Sequence, residues 1–238
     1  MYSVWRLVRT TSVVLMVTLM SGCATQFVDP VSSVPVSAAP AWQGVRVAIV
    51  GDSFTAGTQF GGQGESNWVA RTRSRLQREN AAIDLAVSAY GGQGYLARGE
   101  GGHTFGDSEK AVVDADTVAM VVFGGSNDIN AKGDLTKAVQ ELCATAKSTA
   151  RDIKILLVTP AWPSSAAGVV AVADNAAALK NAARGCPAEV FDPVAEKWFP
   201  ELDKRRKDFI GTDGIHPTDA AHEVFADRIY PWIKKFGK

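Results

Sequence analysis

The sequence predicts an α/β fold: a three-layer αβα sandwich in which helices cover both faces of a parallel sheet of about five strands. After residue 44, short apolar runs of strand length alternate with longer segments of helical periodicity, as in chains that form parallel sheets. Residues 117–123 are hydrophobic at nearly every position, which a strand buried on both faces requires. This run is therefore expected to be a central strand.

Each further element follows from its local pattern. Strands are expected at residues 45–50, 83–87, 117–123, 153–158 and 189–191. Helices are expected at residues 66–79, 135–150 and 174–183. A last helix is expected to begin near Thr218, because Pro217 and Thr218 are start signals, and to continue through Trp232.

The overall composition favours one globular domain with additional segments at its ends. The chain has 238 residues, of which 46% are hydrophobic, and its 25 basic and 25 acidic side chains cancel. No stripe of basic residues interleaved with aromatic residues is present, so nucleic acid is not expected as a partner.

The N-terminus has the features of an export signal. Arg6 and Arg9 precede an apolar stretch at residues 13–20 that is too short for a membrane span. The stretch leads into Leu-Met-Ser-Gly-Cys at residues 19–23, which resembles a bacterial lipobox. That resemblance implies a signal peptide at residues 1–22 and lipidation of Cys23, whereas the alternative is a plain secretory signal. The mature chain is expected to be exported in either case.

Between the signal and the domain lies a segment that reads as a flexible tether. Residues 23–43 contain prolines among Ser, Val and Ala, no Lys or Arg, and neither helical nor strand periodicity. The folded domain is expected at residues 44–238. Its only cysteines, Cys143 and Cys186, are expected to form a disulfide in an oxidising compartment, with two buried free thiols as the alternative.

Ligands of open parallel sheets bind beyond the carboxyl ends of the strands, which directs attention to three loops. These loops begin at Gly51, Ser88 and Gly124, and all are rich in small residues. Ser53 lies in the first loop and is a candidate nucleophile. Asn127 lies in the third, where its amide can donate a hydrogen bond to an oxyanion, although an Asn-Asp turn is the alternative.

A serine hydroxyl needs a base, and the base needs a group that orients it. The chain has three histidines: His103 lies in a glycine-rich loop, His222 lies in the last predicted helix, and His216 lies just before that helix. Asp213 precedes His216 by three residues, a spacing from which a carboxylate can hold the imidazole tautomer. Taken alone, this pair is more often part of a surface loop.

The three segments together resemble the motifs of the SGNH, or GDSL, hydrolase family. They are Gly-Asp-Ser at residues 51–53, Gly-Ser-Asn-Asp at residues 125–128 and Asp-Gly-Ile-His-Pro at residues 213–217. Their order and spacing match over residues 45–238, and the resemblance implies a flavodoxin-like sheet. It also implies that Ser53 is the nucleophile, His216 the general base and then the general acid, and Asp213 its orienting carboxylate.

The same resemblance implies an oxyanion hole formed by Asn127 and the backbone N–H of Ser53. The family's third donor is the backbone N–H of a glycine after the second strand, where this chain has Ala89. Either Ala89 or the nearby Gly91 or Gly92 is expected to take that task. Phe54, where the family has Leu, is expected to pack behind the serine.

Two further segments are expected to shape the pocket. Residues 91–106 contain seven glycines and form either a lid or a disordered loop. Trp162 follows the fourth strand at the same edge of the sheet and is a candidate substrate-binding wall, with an indole that seals a loop as the alternative.

The sequence therefore predicts an envelope-anchored serine esterase that hydrolyses acyl or acetyl esters through an acyl-serine intermediate, without a metal or organic cofactor. Its expected partners are the ester substrate and the membrane, the latter through the lipid anchor. The alternative is a catalytically inactive glycan- or lipid-binding module on the same fold. Phosphate binding by residues 51–57 is not expected, because this segment lacks the lysine of a P-loop. A metal site would require Asp213, His216, Asp219 and His222.

Overall fold

Five parallel strands form the centre of the structure. They are β1 (Val45–Gly51), β2 (Ile83–Ala89), β3 (Thr117–Phe123), β4 (Lys154–Val158) and β5 (Ala188–Phe191). Their order in the sheet is β2-β1-β3-β4-β5, and every neighbouring pair is parallel. The predicted α/β fold and its flavodoxin-like sheet are confirmed.

The structure is a computed structural model that describes residues 44–162 and 168–237. The predictions for the signal peptide, the tether and Cys23 lie outside the described residues. Within this part of the chain, no helix is long and apolar enough to cross a membrane.

Helices connect the strands. They are α1 (Ser53–Ala56), α2 (Trp68–Arg78), α3 (Phe105–Val112), α4 (Leu135–Thr149), α5 (Gly168–Gly185), α6 (Leu202–Phe209) and α7 (Asp219–Lys234). The helices expected from periodicity correspond to α2, α4, α5 and α7. The short helices α1, α3 and α6 were not expected, because a helix of one or two turns contains too few residues to show an apolar period.

The core has two parts because alternate side chains of a strand point to opposite faces of the sheet. In β1, Val47 and Ile49 join the cluster that contains Trp68 of α2 and Phe225 of α7. The intervening Ala48 and Val50 join a second cluster, with residues of α3, α4 and α5. This burial on both faces explains why the central strands are apolar at nearly every position.

A disulfide joins two helices of the second cluster. Cys143 of α4 is bonded to Cys186, which directly follows α5, and both side chains are buried. The pairing predicted from the sequence is present, and it fastens α5 to α4 across a separation of 43 residues.

The sheet register brings the functional loops together. Gly51, the last residue of β1, pairs with Ala89 at the end of β2 and with Phe123 at the end of β3. Because these three strands are parallel and end at the same level, the loops that follow them emerge side by side.

Candidate active site

Ser53 lies just beyond the carboxyl end of the inner strand β1, as the first residue of α1. The preceding Asp52 caps this helix by accepting the backbone N–H of Phe54 at 2.9 Å. Gly51 permits the sharp turn, since a Cβ at this position would lie 2.1 Å from Oγ1 of Thr55. The turn holds the buried Ser53 at the end of the strand, with its hydroxyl turned toward His216.

His216 reaches Ser53 from the loop between α6 and α7. Its Nε2 lies 3.1 Å from Oγ of Ser53, and its Nδ1 lies 2.5 Å from Oδ2 of Asp213. The loop is fixed by a bridge between Ile210 and Pro217 and by a hydrogen bond from Gly211 N–H to His216 O at 2.7 Å. The structure thus brings together the serine, histidine and aspartate that the motifs single out.

Asp213 uses both of its carboxylate oxygens. Oδ2 faces the imidazole, while Oδ1 accepts the backbone N–H groups of Ile215 at 3.0 Å and of His216 at 3.1 Å. Burial raises the pKa of Asp213, but the hydrogen bonds from the His216 ring and from these backbone groups outweigh it and leave the pKa below its ordinary value. An ionised Asp213 accepts a hydrogen bond from the N–H at Nδ1 and leaves Nε2 available to Ser53.

Aromatic rings hold the imidazole in place. Phe60 stacks on His216 with the ring centroids 5.9 Å apart and the planes 4° from parallel, while Phe54 lies 6.3 Å away on another side. Phe54 therefore packs behind the serine as expected. The role of Phe60 was missed, because nothing in the local sequence links residue 60 to residue 216.

Trp162 does not line the cavity beside Ser53. Only 2% of its surface is exposed, and its ring packs against Phe54 and Phe225. Its indole N–H donates to Ile215 O at 3.0 Å, which ties the histidine loop to the end of β4. The structure thus gives Trp162 a supporting position under the site instead of the substrate wall that was the first expectation.

Asn127 approaches Ser53 from the turn after β3. Gly124 and Gly125 have φ values of 154° and 111°, which favour glycine, and a short 3-10 turn, Ser126–Asn130, follows. The amide nitrogen of Asn127 donates to Gln93 O at 2.8 Å and makes a longer contact of 3.3 Å to Oδ2 of Asp52. The shorter bond fixes the orientation of the amide.

The residues after β2 divide between two adjoining cavities. A cavity of about 570 Å³ is lined by Ser53, Asn127 and His216 and also by Gly91 and Gly92. Within the described residues, the backbone N–H groups of Gly91 and Gly92 have no hydrogen-bond acceptor.

Ala89 lies elsewhere. It lines a neighbouring cavity of about 610 Å³ that meets the first one at Ala56 and Gly57. Ala89 is still paired with Gly51 in the sheet. The first residue after β2 that lines the cavity with Ser53 is Gly91. The geometry favours Gly91 or Gly92 over Ala89 as the donor after the second strand.

Asp128 anchors the glycine-rich loop that follows β2. Its carboxylate accepts the backbone N–H groups of Tyr95 at 2.9 Å and of Leu96 and Ala97 at 2.8 Å. A Cβ on Gly94 would lie 2.5 Å from this carboxylate, so only glycine fits there. Residues 95–97 of this loop, which is expected to be either a lid or disordered, are therefore anchored by hydrogen bonds next to Asn127.

Gln93 ties the same loop to the end of β1. This fully buried side chain donates from Nε2 to Gly51 O at 2.5 Å and accepts the hydroxyl of Ser108 at 3.1 Å. Sequence reasoning passed over Gln93, since a glutamine in a glycine-rich loop carries no motif of its own.

The carboxyl group of Asp52 lies directly behind the serine. Burial raises its pKa to about 7, Phe54 N–H opposes this rise, and the neighbouring charge of Asp128 adds to it. The group whose pKa is raised in this way is the same carboxyl group that Asn127 contacts at 3.3 Å.

The residues of the alternative metal site have other partners. Asp219 accepts the backbone N–H of Gly62 at 2.8 Å, and Nδ1 of the buried His222 faces Trp68 N–H at 3.4 Å. Burial lowers the pKa of His222 to about 4. Among residues 44–162 and 168–237, no group of three or more His, Cys, Asp or Glu side chains is arranged to hold a metal ion.

Known proteins share both the sequence pattern and the fold. The pattern of the GDSL-like Lipase/Acylhydrolase family matches residues 49–224. The chain is 35% identical to GDSL lipase Rv0518 from Mycobacterium tuberculosis over 193 residues, which cover 79% of this chain and 80% of the relative.

Solved structures with low sequence identity share the fold. The psychrotrophic esterase EstA from Pseudoalteromonas sp. superposes with a TM-score of 0.60 at 17% identity, covering 80% of this chain and 97% of that one. Axe2, an acetylxylan esterase from Geobacillus stearothermophilus, superposes with a TM-score of 0.58 at 18% identity, covering 80% and 94%. The family pattern over residues 49–224 and the relative that is 35% identical show that the chain belongs to the GDSL-like lipase/acylhydrolase family and is an ester-hydrolysing enzyme.

Proposed function

We propose that this enzyme is a serine esterase that cleaves acyl or acetyl esters through an acyl-serine intermediate on Ser53. The observation that carries the proposal is the continuous contact from Ser53 Oγ to His216 Nε2 at 3.1 Å and from His216 Nδ1 to Asp213 at 2.5 Å. A serine, a base and an orienting carboxylate in this arrangement are the parts that nucleophilic acyl transfer requires.

In the first half of the reaction, His216 removes the proton from Ser53 and Oγ attacks the ester carbonyl carbon. The resulting tetrahedral anion accepts hydrogen bonds from Asn127 and from the backbone N–H of Ser53 and of Gly91 or Gly92. For Asn127, the substrate oxygen replaces the long contact to Asp52, while the bond to Gln93 is kept.

In the second half, the protonated His216 donates its proton to the leaving alcohol as the carbon–oxygen bond breaks. Water then enters, gives a proton to His216 and attacks the acyl-serine. This attack forms a second tetrahedral intermediate. When it collapses, His216 returns the proton to Ser53 and the carboxylic acid is released. Asp213 stabilises the imidazolium in both halves.

The test of the nucleophile is labelling by an aryl alkylphosphonate, followed by peptide mass spectrometry. We expect the label on Ser53, no labelling in Ser53→Ala, and loss of nearly all aryl-ester hydrolysis in Ser53→Ala and His216→Ala proteins that still show the wild-type circular dichroism. Wild-type turnover in either variant contradicts the proposal. A folded protein that neither reacts with the phosphonate nor hydrolyses esters points to the binding module instead.

We further propose that the enzyme acts at the cell envelope. The support is the N-terminal sequence, with its apolar stretch at residues 13–20 and the lipobox-like residues 19–23. Cys23→Ala should move the protein from the membrane fraction to the soluble fraction.

Hydrolysis of aryl esters of increasing chain length, with acetylated glycans alongside, distinguishes acetylesterase from lipase-like action.

A further inference from the structure

The charged residues in the wall of the cavity beside Ser53 are both acidic. They are Asp52, which lies buried behind the serine, and Glu100, which lies at the exposed side. Among the described residues that line this cavity, none is a lysine or an arginine. The described lining of this cavity therefore offers no lysine or arginine to a carboxylate or a phosphate of a substrate.

Glu100 is held next to Gly91, which lines the cavity beside Ser53. Its backbone N–H donates to Gly91 O at 2.9 Å. Its carboxylate lies against Gly91, since a Cβ built on that glycine would be 2.8 Å from Oε1 and 3.6 Å from Oε2. The negative charge is thus adjacent to the backbone segment whose N–H groups have no acceptor.

The basic side chains nearby, Arg98 and His103, have other partners. The guanidinium of Arg98 donates to Gly102 O at 2.8 Å and lies 3.9 Å from Asp107. The ring of His103 stacks on Tyr90 with a centroid distance of 4.5 Å. No described residue supplies a hydrogen bond or an ion pair to the carboxylate of Glu100.

We propose that Glu100 determines the charge specificity of the site: it favours neutral and ammonium-bearing esters over esters that carry a carboxylate or a phosphate near the scissile bond. An ammonium group can take Glu100 as its hydrogen-bond acceptor, whereas an anionic group meets a like charge and no compensating cation. An acetyl ester on a neutral glycan meets this requirement, and an ester next to a lipid phosphate does not. The proposal rests on the proposed function of the Ser53 site.

The test uses aryl esters whose acyl chains have equal length and different charge. They are 4-nitrophenyl hexanoate, the 4-nitrophenyl monoester of adipate and 4-nitrophenyl 6-aminohexanoate. The kcat/KM of each ester is measured with the wild-type protein and with Glu100→Gln, which keeps the size of the side chain. Glu65→Gln is the matched control, because Glu65 is an exposed glutamate that does not line this cavity.

In Glu100→Gln, we expect the kcat/KM ratio of adipate to hexanoate to rise about two- to fivefold, the range for a partly solvated charge pair. The ratio of 6-aminohexanoate to hexanoate should fall by a similar factor. Both shifts should shrink as salt is added. Unchanged ratios, or the same shifts in Glu65→Gln, overturn the role of Glu100.

The two proposals fail in distinguishable ways. If the role of Glu100 is wrong, hexanoate hydrolysis still depends on Ser53 while the ratios stay constant. If the proposed function is wrong, either Ser53→Ala retains hydrolysis of all three esters or the folded wild-type protein hydrolyses none of them.

Discussion

Two polar side chains at this site, those of Asp213 and Asn127, are oriented by hydrogen bonds to backbone groups. Asp213 accepts two N–H groups of its own turn, and Asn127 donates to the backbone of Gln93. Because these hydrogen bonds already fix the polar groups in their orientations, little conformational entropy is lost when substrate binds. The site therefore relies on fixed geometry in its immediate surroundings.

At the residue scale, Asn127 offers the sharpest prediction for the oxyanion hole. Asn127→Ala should lower kcat for an aryl ester by about 10²- to 10³-fold, the usual effect of losing one oxyanion donor. KM should change little, because the donor acts mainly on the transition state. The measurement is steady-state hydrolysis.

Asn130→Ala is the matched control, since Asn130 lies in the same 3-10 turn, is exposed and does not line the cavity. A kcat for Asn127→Ala within about twofold of the wild-type value would place Asn127 outside the oxyanion hole.

At the scale of elements, the loop after β2 and helix α3 form one support for the site. Asp128 accepts three backbone N–H groups of the loop, and α3 begins with a capping box formed by Thr104 and Asp107. Ser108 in this helix donates to Gln93. A segment that reads as a flexible glycine-rich loop is therefore ordered by contacts with residues on both sides of it.

Helix α3 also carries a buried acid that weakens the fold at neutral pH. Glu109 is 1% exposed, its Oε2 has no partner among the described residues, and burial raises its pKa to about 7. In the unfolded chain a glutamate titrates near its ordinary value, so the folded state binds the extra proton between about pH 4.5 and 7. Stability from this group is highest below that window and falls as pH rises through it.

Glu109→Gln should therefore stabilise the protein by about 1–2 kcal/mol at pH 8, with the gain vanishing toward pH 5. Urea unfolding at a series of pH values measures the difference. Glu65→Gln, an exposed glutamate, should show no such trend. A gain that is equal at pH 5 and pH 8 contradicts the assigned protonation.

At the scale of the whole molecule, the disulfide links two helices that cover the same face of the sheet. The bond between Cys143 and Cys186 closes a loop with a sequence separation of 43 residues. In the chain-entropy model, closing a loop of this length stabilises the fold by about 4 kcal/mol, chiefly by restricting the unfolded chain.

The double variant Cys143→Ala/Cys186→Ala should accordingly unfold at lower urea concentration, with a loss of up to about 4 kcal/mol. Reduction with dithiothreitol should weaken the wild-type protein similarly and leave the double variant unchanged, which serves as the control. Equal midpoints for the oxidised wild-type protein and the double variant would show that the bond contributes little to stability.

Much of the architecture could be predicted because its causes are local. Residues 117–123 are apolar at nearly every position because both faces of β3 are covered, and the boundaries expected for this strand match the structure. Helix α5 begins at Gly168, earlier than the expected residue 174, because its first residues are mostly apolar and show no helical period.

The sequence alone indicated the family, the succession of strands and helices, and the residues Ser53, Asn127, Asp213 and His216. It could do so because each of these residues lies in a short segment with its own residue pattern. Only the tertiary structure decided what depends on distance in space. In the structure, Trp162 is buried beneath the site, and Gly91 and Gly92 line the cavity while Ala89 does not. Phe60 stacks on His216, and the carboxylate of Glu100 has no partner among the described residues. Contacts between residues far apart in the chain are fixed by packing and register, which no local pattern encodes.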